Sequence, residues 1–295
     1  MKEIQEKYNI VGRSEELKKI LIAYYSNKNI LIEGEIGTSK TTLAHGFASY
    51  MDKDFFRVDG SEDVLSHVLV GYFDPPIVIS KGYIKDAFLF GPLSKSMLAG
   101  GVLFINELNR LPESTQNVLL SALDEGYLDV PKLPPISSKN GFITITTMNP
   151  AAHVGVSNLG EALKDRFVWI KVDYQPEEEE IAIILQKLDV LIAKYAIEIE
   201  KESLDEIAKI ATRIINLSRD HKELRRGASV RAGIDMASLV LTSYSRGEDV
   251  LDDKRFWYDA ANMSLTTKVE IVDGSETNLR DIINELVEHA LRDFL

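Results

Sequence analysis

The sequence predicts an α/β fold, a parallel five-stranded sheet sandwiched by helices, followed by an all-helical second domain. Three observations carry this. Five short apolar runs, near residues 29–32, 55–58, 101–105, 142–148 and 167–172, alternate with helical patterns, the order of a parallel sheet covered on both faces. The first run opens directly into a glycine-containing turn and re-emerges as a helical pattern from Thr41. Beyond Pro176 the strong strand signals stop and helical periodicity takes over. The domains are therefore placed at 1–175 and 176–295, with an insertion near 71–91 and a hairpin near 126–141 in the first.

The turn after the first strand sets the chemistry. The stretch from Leu31 to Leu43 matches the phosphate-loop template G-x-x-x-x-G-K-[ST] at Gly34, Lys40 and Thr41, and carries Ser39 at the second template glycine. Backbone N–H groups must curl round phosphates, which glycine permits, and the helix start adds partial positive charge. Gly34, Glu35, Gly37, Thr38, Ser39, Lys40, Thr41 and Thr42 are thus the candidate nucleotide contacts. Lys40 is placed to reach the β- and γ-phosphates of ATP, and the Thr41 hydroxyl to hold Mg²⁺. Ser39 removes some backbone freedom, while Gly37 remains to make the bend. The competing reading is an ordinary strand–helix turn, against which stand the preceding strand and the lysine–threonine pair.

Composition bounds the rest. The chain has 295 residues, 45% apolar and 27% charged, as in ordinary soluble globular proteins. The absence of cysteine removes disulfides, thiolate metal sites and cysteine nucleophiles together. Five histidines, His153 among them, show no metal-ligand spacing. The net charge of −12 disfavours non-specific binding to nucleic acid, although residues 219–231 are locally basic. No signal-peptide pattern and no membrane-length apolar run is evident, so a cytoplasmic protein is expected.

Along the chain, the turn Ile10-Val11-Gly12 precedes a helix for which Ser14 is the expected N-cap, and it either lies against a nucleotide base or is a simple lead-in loop. Ser61 to Val70 reads as a helix. Pro75-Pro76 argues against a helix there, so Ile77–Ile79 and Tyr83-Ile84 are read as short extended pieces of an insertion that projects from the core. The third apolar run ends in Asn106-Glu107, where an acidic pair usually marks the second phosphate-site strand. The fourth closes on Asn149-Pro150. Pro176 and the four glutamates after it are better explained as a helix start than as a metal site. Five helical patterns follow, with Thr267–Val272 as a brief extended stretch.

The phosphate loop, an apolar strand ending in Asn106-Glu107, a strand ending at Asn149 and Asp165-Arg166-Phe167 recur at one spacing in AAA+ ATPases, and Asn106-Glu-Leu-Asn-Arg-Leu-Pro112, Asn149-Pro150, Leu163-Lys-Asp-Arg-Phe167 and Gly227-Ala-Ser-Val-Arg231 carry a finer likeness. Within that group the chain resembles the MoxR family over nearly its whole length. The resemblance implies an AAA+ P-loop core with a helical lid and gives each residue a role. Glu107 becomes the general base that aligns the attacking water. Asn149 resembles sensor 1, Arg166 the arginine finger supplied to a neighbouring subunit, and Arg231 sensor 2. An arginine finger in turn implies a ring, most often hexameric. For Arg110 a subunit contact and a plain surface position both stand. Most relatives have aspartate at Asn106, where it holds Mg²⁺ through water; asparagine keeps an acceptor oxygen but loses the charge. Hydrolysis is still expected, since Glu107 remains.

The leading expectation is an ATP-driven, chaperone-like machine that remodels or activates a partner protein, as MoxR relatives do alongside von Willebrand factor A domain proteins. A DNA-handling motor and a slow-turnover nucleotide switch are the alternatives. The acidic balance weighs against the first of these, and Asn106 suggests the second.

Overall fold

The computed structural model describes residues 2–150, 159–248, 250, 253–292 and 294. Two compact units divide the chain: Met1–Glu35 with Ser39–Asp173, and Ile36–Thr38 with Tyr174–Leu295. In order, the first runs α1 (Lys2–Lys7), α2 (Ser14–Tyr25), β1 (Asn29–Glu33), α3 (Lys40–Tyr50), β2 (Phe55–Asp59), α4 (Ser66–Val70), β3 (Gly71–Phe73), α5 (Pro75–Lys81), β4 (Phe88–Phe90), α6 (Pro92–Ala99), β5 (Val102–Asn106), α7 (Glu113–Asp124), β6 (Tyr127–Leu128), β7 (Ile136–Ser137), β8 (Ile143–Met148), α8 (Glu161–Lys164) and β9 (Phe167–Lys171).

The sheet is parallel and five-stranded in the order β2-β5-β8-β1-β9. Strands β1 and β5 carry uninterrupted apolar runs, Ile30–Ile32 and Val102–Ile105, because both of their faces are covered, and alternate residues serve opposite faces. Ile30, Ile32, Val102 and Phe104 join a core with Leu17, Leu43 and Phe47 from α2 and α3. Leu31, Leu103 and Ile105 join a second core with Leu93, Met97 and Leu119 from α6 and α7. Phe104 is fully buried at the centre and stacks on Phe55, ring centroids 5.3 Å apart.

Several local expectations fail for identifiable reasons. Pro75 and Pro76 do not break a helix but start α5, since a proline in the first turn removes an N–H that has no intrahelical partner. Ile77–Ile79 is therefore helical rather than extended. The 71–91 segment is also only partly outside the core. Ala87 and Phe88 are buried, while α5 buries nothing and Ile79 is 87% exposed. The helix read over Ser61–Val70 is confined to Ser66–Val70. Ser14 is the first residue of α2 rather than its cap; Arg13, left-handed at φ 62°, takes the cap position. The 126–141 stretch forms the small antiparallel hairpin β6–β7.

The second unit contains α9 (Glu177–Tyr195), α10 (Lys201–Asp220), β10 (Leu224–Arg226), α11 (Val230–Tyr244), α12 (Lys254–Leu265), β11 (Glu270–Ile271) and α13 (Leu279–Arg292). Trp257 is fully buried in its helical core. A two-stranded ribbon, β10 with β11, accompanies the helices, and β11 falls within the stretch read as briefly extended. Glu180, in the run of glutamates, is 2% exposed and ion-paired to Arg219 at 2.9 Å. Arg225 and Arg226 likewise pair with Glu270, so the locally basic 219–231 stretch is largely neutralised within its own unit. Among the described residues no helix is long and apolar enough to cross a membrane.

Truncating Phe104 to alanine removes a buried ring from the middle of the sheet. Phe104→Ala should destabilise the first unit by about 3–5 kcal/mol, read as a lowered urea midpoint for its transition.

Candidate functional site

The C-terminal ends of β1, β8 and β5 lie side by side, and each delivers one piece of the site. Such an edge of a parallel sheet is where α/β folds bind ligands. From β1 the chain enters the loop Gly34–Ser39 and then α3, whose first residue is Lys40. The Lys40 ammonium is nearly buried and donates to the Gly34 carbonyl at 2.6 Å, the Glu35 carbonyl at 2.8 Å and Asn149 Oδ1 at 3.1 Å. Asn149 follows β8 and donates through Nδ2 to Glu107 Oε1 at 3.5 Å. Glu107 follows β5, and its Oε2 is ion-paired to Arg110 Nε at 2.9 Å.

The loop's departure from its template is visible in the backbone. Ser39 sits at φ 67°, ψ 20°, left-handed, where the template has glycine. A side chain there costs roughly 1–2 kcal/mol of backbone strain. Gly37 is also left-handed, at φ 86°. Thr41 is half-buried and Thr42 exposed on the first turn of α3, while Thr38 is 3% exposed.

Gly60, after β2, is a site residue that the sequence reading missed. A Cβ added there would lie 2.2 Å from the Glu107 carbonyl oxygen, and its N–H donates to the Asn106 carbonyl at 2.7 Å. The Asp59-Gly60 pair reads in sequence only as a strand end, so the signal was present but unassigned.

Val11 and Gly12 lie half-buried in the turn before α2, with Gly12 left-handed at φ 63°. The Ile10 side chain points into the core, against Gly46 of α3. The turn is tied down by Gln5, which donates to the Gly12 carbonyl, and by Arg13, which donates to the Asp173 carbonyl at 2.7 Å.

Two candidates stand apart from this group. Arg166 precedes β9, whose first residue is in register with Asn29, the first of β1. It therefore lies at the opposite end of the sheet from Lys40, where it pairs with Asp124 and donates to the Ala162 carbonyl. The Asp124 hydrogen bond raises the guanidinium pKa further. Arg231, in the first turn of α11, belongs to the second unit. It lines a cavity of about 230 Å³ there with Tyr174, Arg226 and Ser229.

The fit to Mg²⁺ is uneven. Thr41 offers a hydroxyl and Asn106 a neutral amide oxygen, which already accepts the Thr147 hydroxyl at 2.9 Å. Among the described residues no cluster of three or more His, Asp or Glu could hold a metal ion, and His153 lies outside them. Position 106 itself does not supply the carboxylate charge with which proteins usually hold this cation, and the neighbouring carboxylates, Asp59 and Glu107, are already paired with Arg57 and Arg110.

Residues 29–167 match the AAA domain of the dynein-related subfamily. The chain is 33% identical to YojN of Bacillus subtilis, an uncharacterised protein, over 224 residues, 75% of this chain and 69% of that one. It is 31% identical to an uncharacterised Staphylococcus aureus protein over 216 residues, 72% and 78% of the two chains. Among solved structures it is similar to a candidate ATPase from Cytophaga hutchinsonii, with TM-score 0.51 and 22% identity over 97% and 93% of the chains. A RuvB mutant from Thermotoga maritima gives TM-score 0.55 at 18% identity over 86% and 70%. NtrX from Brucella abortus, in complex with ADP, gives 0.55 at 18% over 82% and 52%. At these identities the likeness is one of fold, the AAA+ P-loop fold.

Two substitutions test the local geometry. Ser39→Gly should relieve the left-handed strain and raise stability by about 0.5–1 kcal/mol, after allowing for the greater entropy that glycine brings to the unfolded chain. Thermal unfolding reads it, and a loss of stability would contradict the strain. Gly60→Ala should displace Glu107, lowering both the unfolding midpoint and any nucleotide turnover.

Proposed function

This chain belongs to the AAA domain family, dynein-related subfamily, and we propose that it is a MoxR-type ATP hydrolase acting as a ring on a partner protein. The observation that carries the reading is the unbroken line from Lys40 through Asn149 to Glu107 and Arg110. It joins a cation suited to phosphate, an amide suited to orienting water, and a carboxylate suited to taking a proton.

In this reading the loop N–H groups and the Lys40 ammonium bind the ATP phosphates. Phosphoryl transfer needs little covalent help from a protein, so catalysis rests on alignment and charge. Asn149, already bridging Lys40 and Glu107, orients the attacking water. The Glu107 carboxylate accepts the water's proton, and Arg110 holds that carboxylate in place. Thr41 is the residue whose hydroxyl would hold Mg²⁺, which would supply positive charge against the negative charge developing on the phosphates. Val11 and Gly12 are assigned to the base and Arg231 to the sensor 2 role. Arg166 is assigned to the nucleotide of a neighbouring subunit, which makes the active form a ring, a hexamer by analogy. The partner is a protein, with von Willebrand factor A domain proteins the first class to test.

Lys40→Ala should abolish tight ATP binding with the fold intact, whereas Glu107→Gln should bind ATP and stop turnover. Arg166→Ala should keep ATP binding yet lose roughly 10³–10⁵ in rate, the scale of an arginine finger. Mixing Arg166→Ala with Lys40→Ala should restore part of the activity, because mixed rings pair an intact finger with an intact loop. Normal hydrolysis by assembled Arg166→Ala would make Arg166 a structural partner of Asp124 only.

A further inference from the structure

The corner between β2 and β5 holds a hydrogen-bond chain that the phosphate-site motifs do not account for. Asp59 and Asn106 are register partners at the C-terminal ends of these strands. Asn106 Nδ2 donates to Asp59 Oδ1 at 3.1 Å. An ionised carboxylate can only accept, so the amide's nitrogen must face Asp59 and its oxygen must face away. That oxygen accepts the Thr147 hydroxyl at 2.9 Å, and Thr147 Oγ1 in turn accepts the Glu107 N–H at 3.0 Å. At the outer end Arg57 grips Asp59, donating from Nη2 at 2.7 Å and from Nε at 3.0 and 3.1 Å. This hydrogen bond holds the Asp59 carboxyl below its ordinary range, and Asn106 contributes in the same direction.

The chain ends on the residue that most needs holding. Glu107 sits at φ 57°, ψ 56°, a left-handed conformation unfavourable for a side chain of its kind. Such strain persists only where the surroundings over-determine it. The fully buried Thr147 anchors the Glu107 N–H from β8, and Gly60 makes room for the Glu107 carbonyl. An amide is the side chain that donates to a carboxylate on one side and accepts a hydroxyl on the other. An ionised aspartate at 106 would set two like charges about 3 Å apart, a spacing at which carboxylates resist ionising together.

We propose that Asn106 is a positioning residue for Glu107, its carboxamide committed to Asp59 and Thr147 rather than to a metal ion, the corner's negative charge residing on Asp59. The inference rests on the reading of Glu107 as general base only for its effect on turnover. The structural commitment of Asn106 stands separately.

A charge-swap cycle tests both parts. Asn106→Asp should lower the thermal midpoint at neutral pH by on the order of 2–4 °C, the shift that about 1 kcal/mol makes in a chain of this size. Asp59→Asn combined with Asn106→Asp should recover most of that loss, because the amide and the carboxylate have only exchanged strands. Non-additivity in such a cycle reports direct coupling of two residues. In parallel, a fluorescent ATP analogue titrated with Mg²⁺ should show the same half-saturating Mg²⁺ concentration in wild type and Asn106→Ala, within about threefold, while Asn106→Ala turnover falls tenfold or more. Full stability of Asn106→Asp, or a tenfold tighter Mg²⁺ requirement in that variant without help from Asp59→Asn, would overturn the proposal. A wild type that binds the analogue but does not hydrolyse ATP would sink the general-base reading, and the stability cycle alone would then decide the commitment of Asn106.

Discussion

A nearly buried ammonium organises the nucleotide end of this molecule. Lys40 is 9% exposed, and a buried charge is tolerated only when it is hydrogen-bonded on all sides that matter. Its partners include two carbonyls of the loop it follows, Gly34 and Glu35, and the side chain of Asn149 just past β8. The same contacts that satisfy the charge therefore curl the loop and tie β1 to the end of β8. The loop's shape follows from that satisfaction as much as from its glycines, which is why serine at position 39 is accommodated in a left-handed conformation.

This edge carries backbone strain. Ser39 and Glu107 both occupy left-handed backbone that a side chain disfavours, and each precedes or carries a group aimed at the site. Order-of-magnitude costs of 1–3 kcal/mol apiece require the surroundings to be stiff. The stiffness comes from the interior of the five-stranded parallel sheet, where Ile30, Ile32, Leu103 and Phe104 are essentially without solvent contact. A rigid sheet lets short turns at its rim hold conformations that an isolated loop would abandon.

What the sequence could and could not reveal follows from the range of the interactions. The strands were legible because both-face burial leaves an uninterrupted apolar run, as in Val102–Ile105. The loop was legible because its chemistry is local to thirteen residues. The Asp59–Asn106–Thr147 chain was not, because it joins three strands whose neighbour relations exist only after folding. Pro75-Pro76 misled for the opposite reason: proline excludes a helix interior but favours a first turn, and which applies depends on where the helix begins. Ser14 was displaced from the cap position by Arg13, whose guanidinium is held by Glu16 and the Asp173 carbonyl. A long-range anchor overrode a local preference.

The two ends of the sheet divide the candidate roles by geometry. Strands β1 and β9 run parallel for five residues each, a span of roughly 15 Å at the usual rise. Lys40 lies beyond the C-terminal end and Arg166 before the N-terminal end. An arginine side chain does not bridge that distance along the sheet, so Arg166 does not serve the phosphate loop of its own chain. Within this chain it pairs with Asp124, and a contact with the nucleotide of another chain is the role we propose for it. Asp124 neutralises it in the single chain, and any engagement with a neighbour's phosphate must exchange that carboxylate for a more highly charged one.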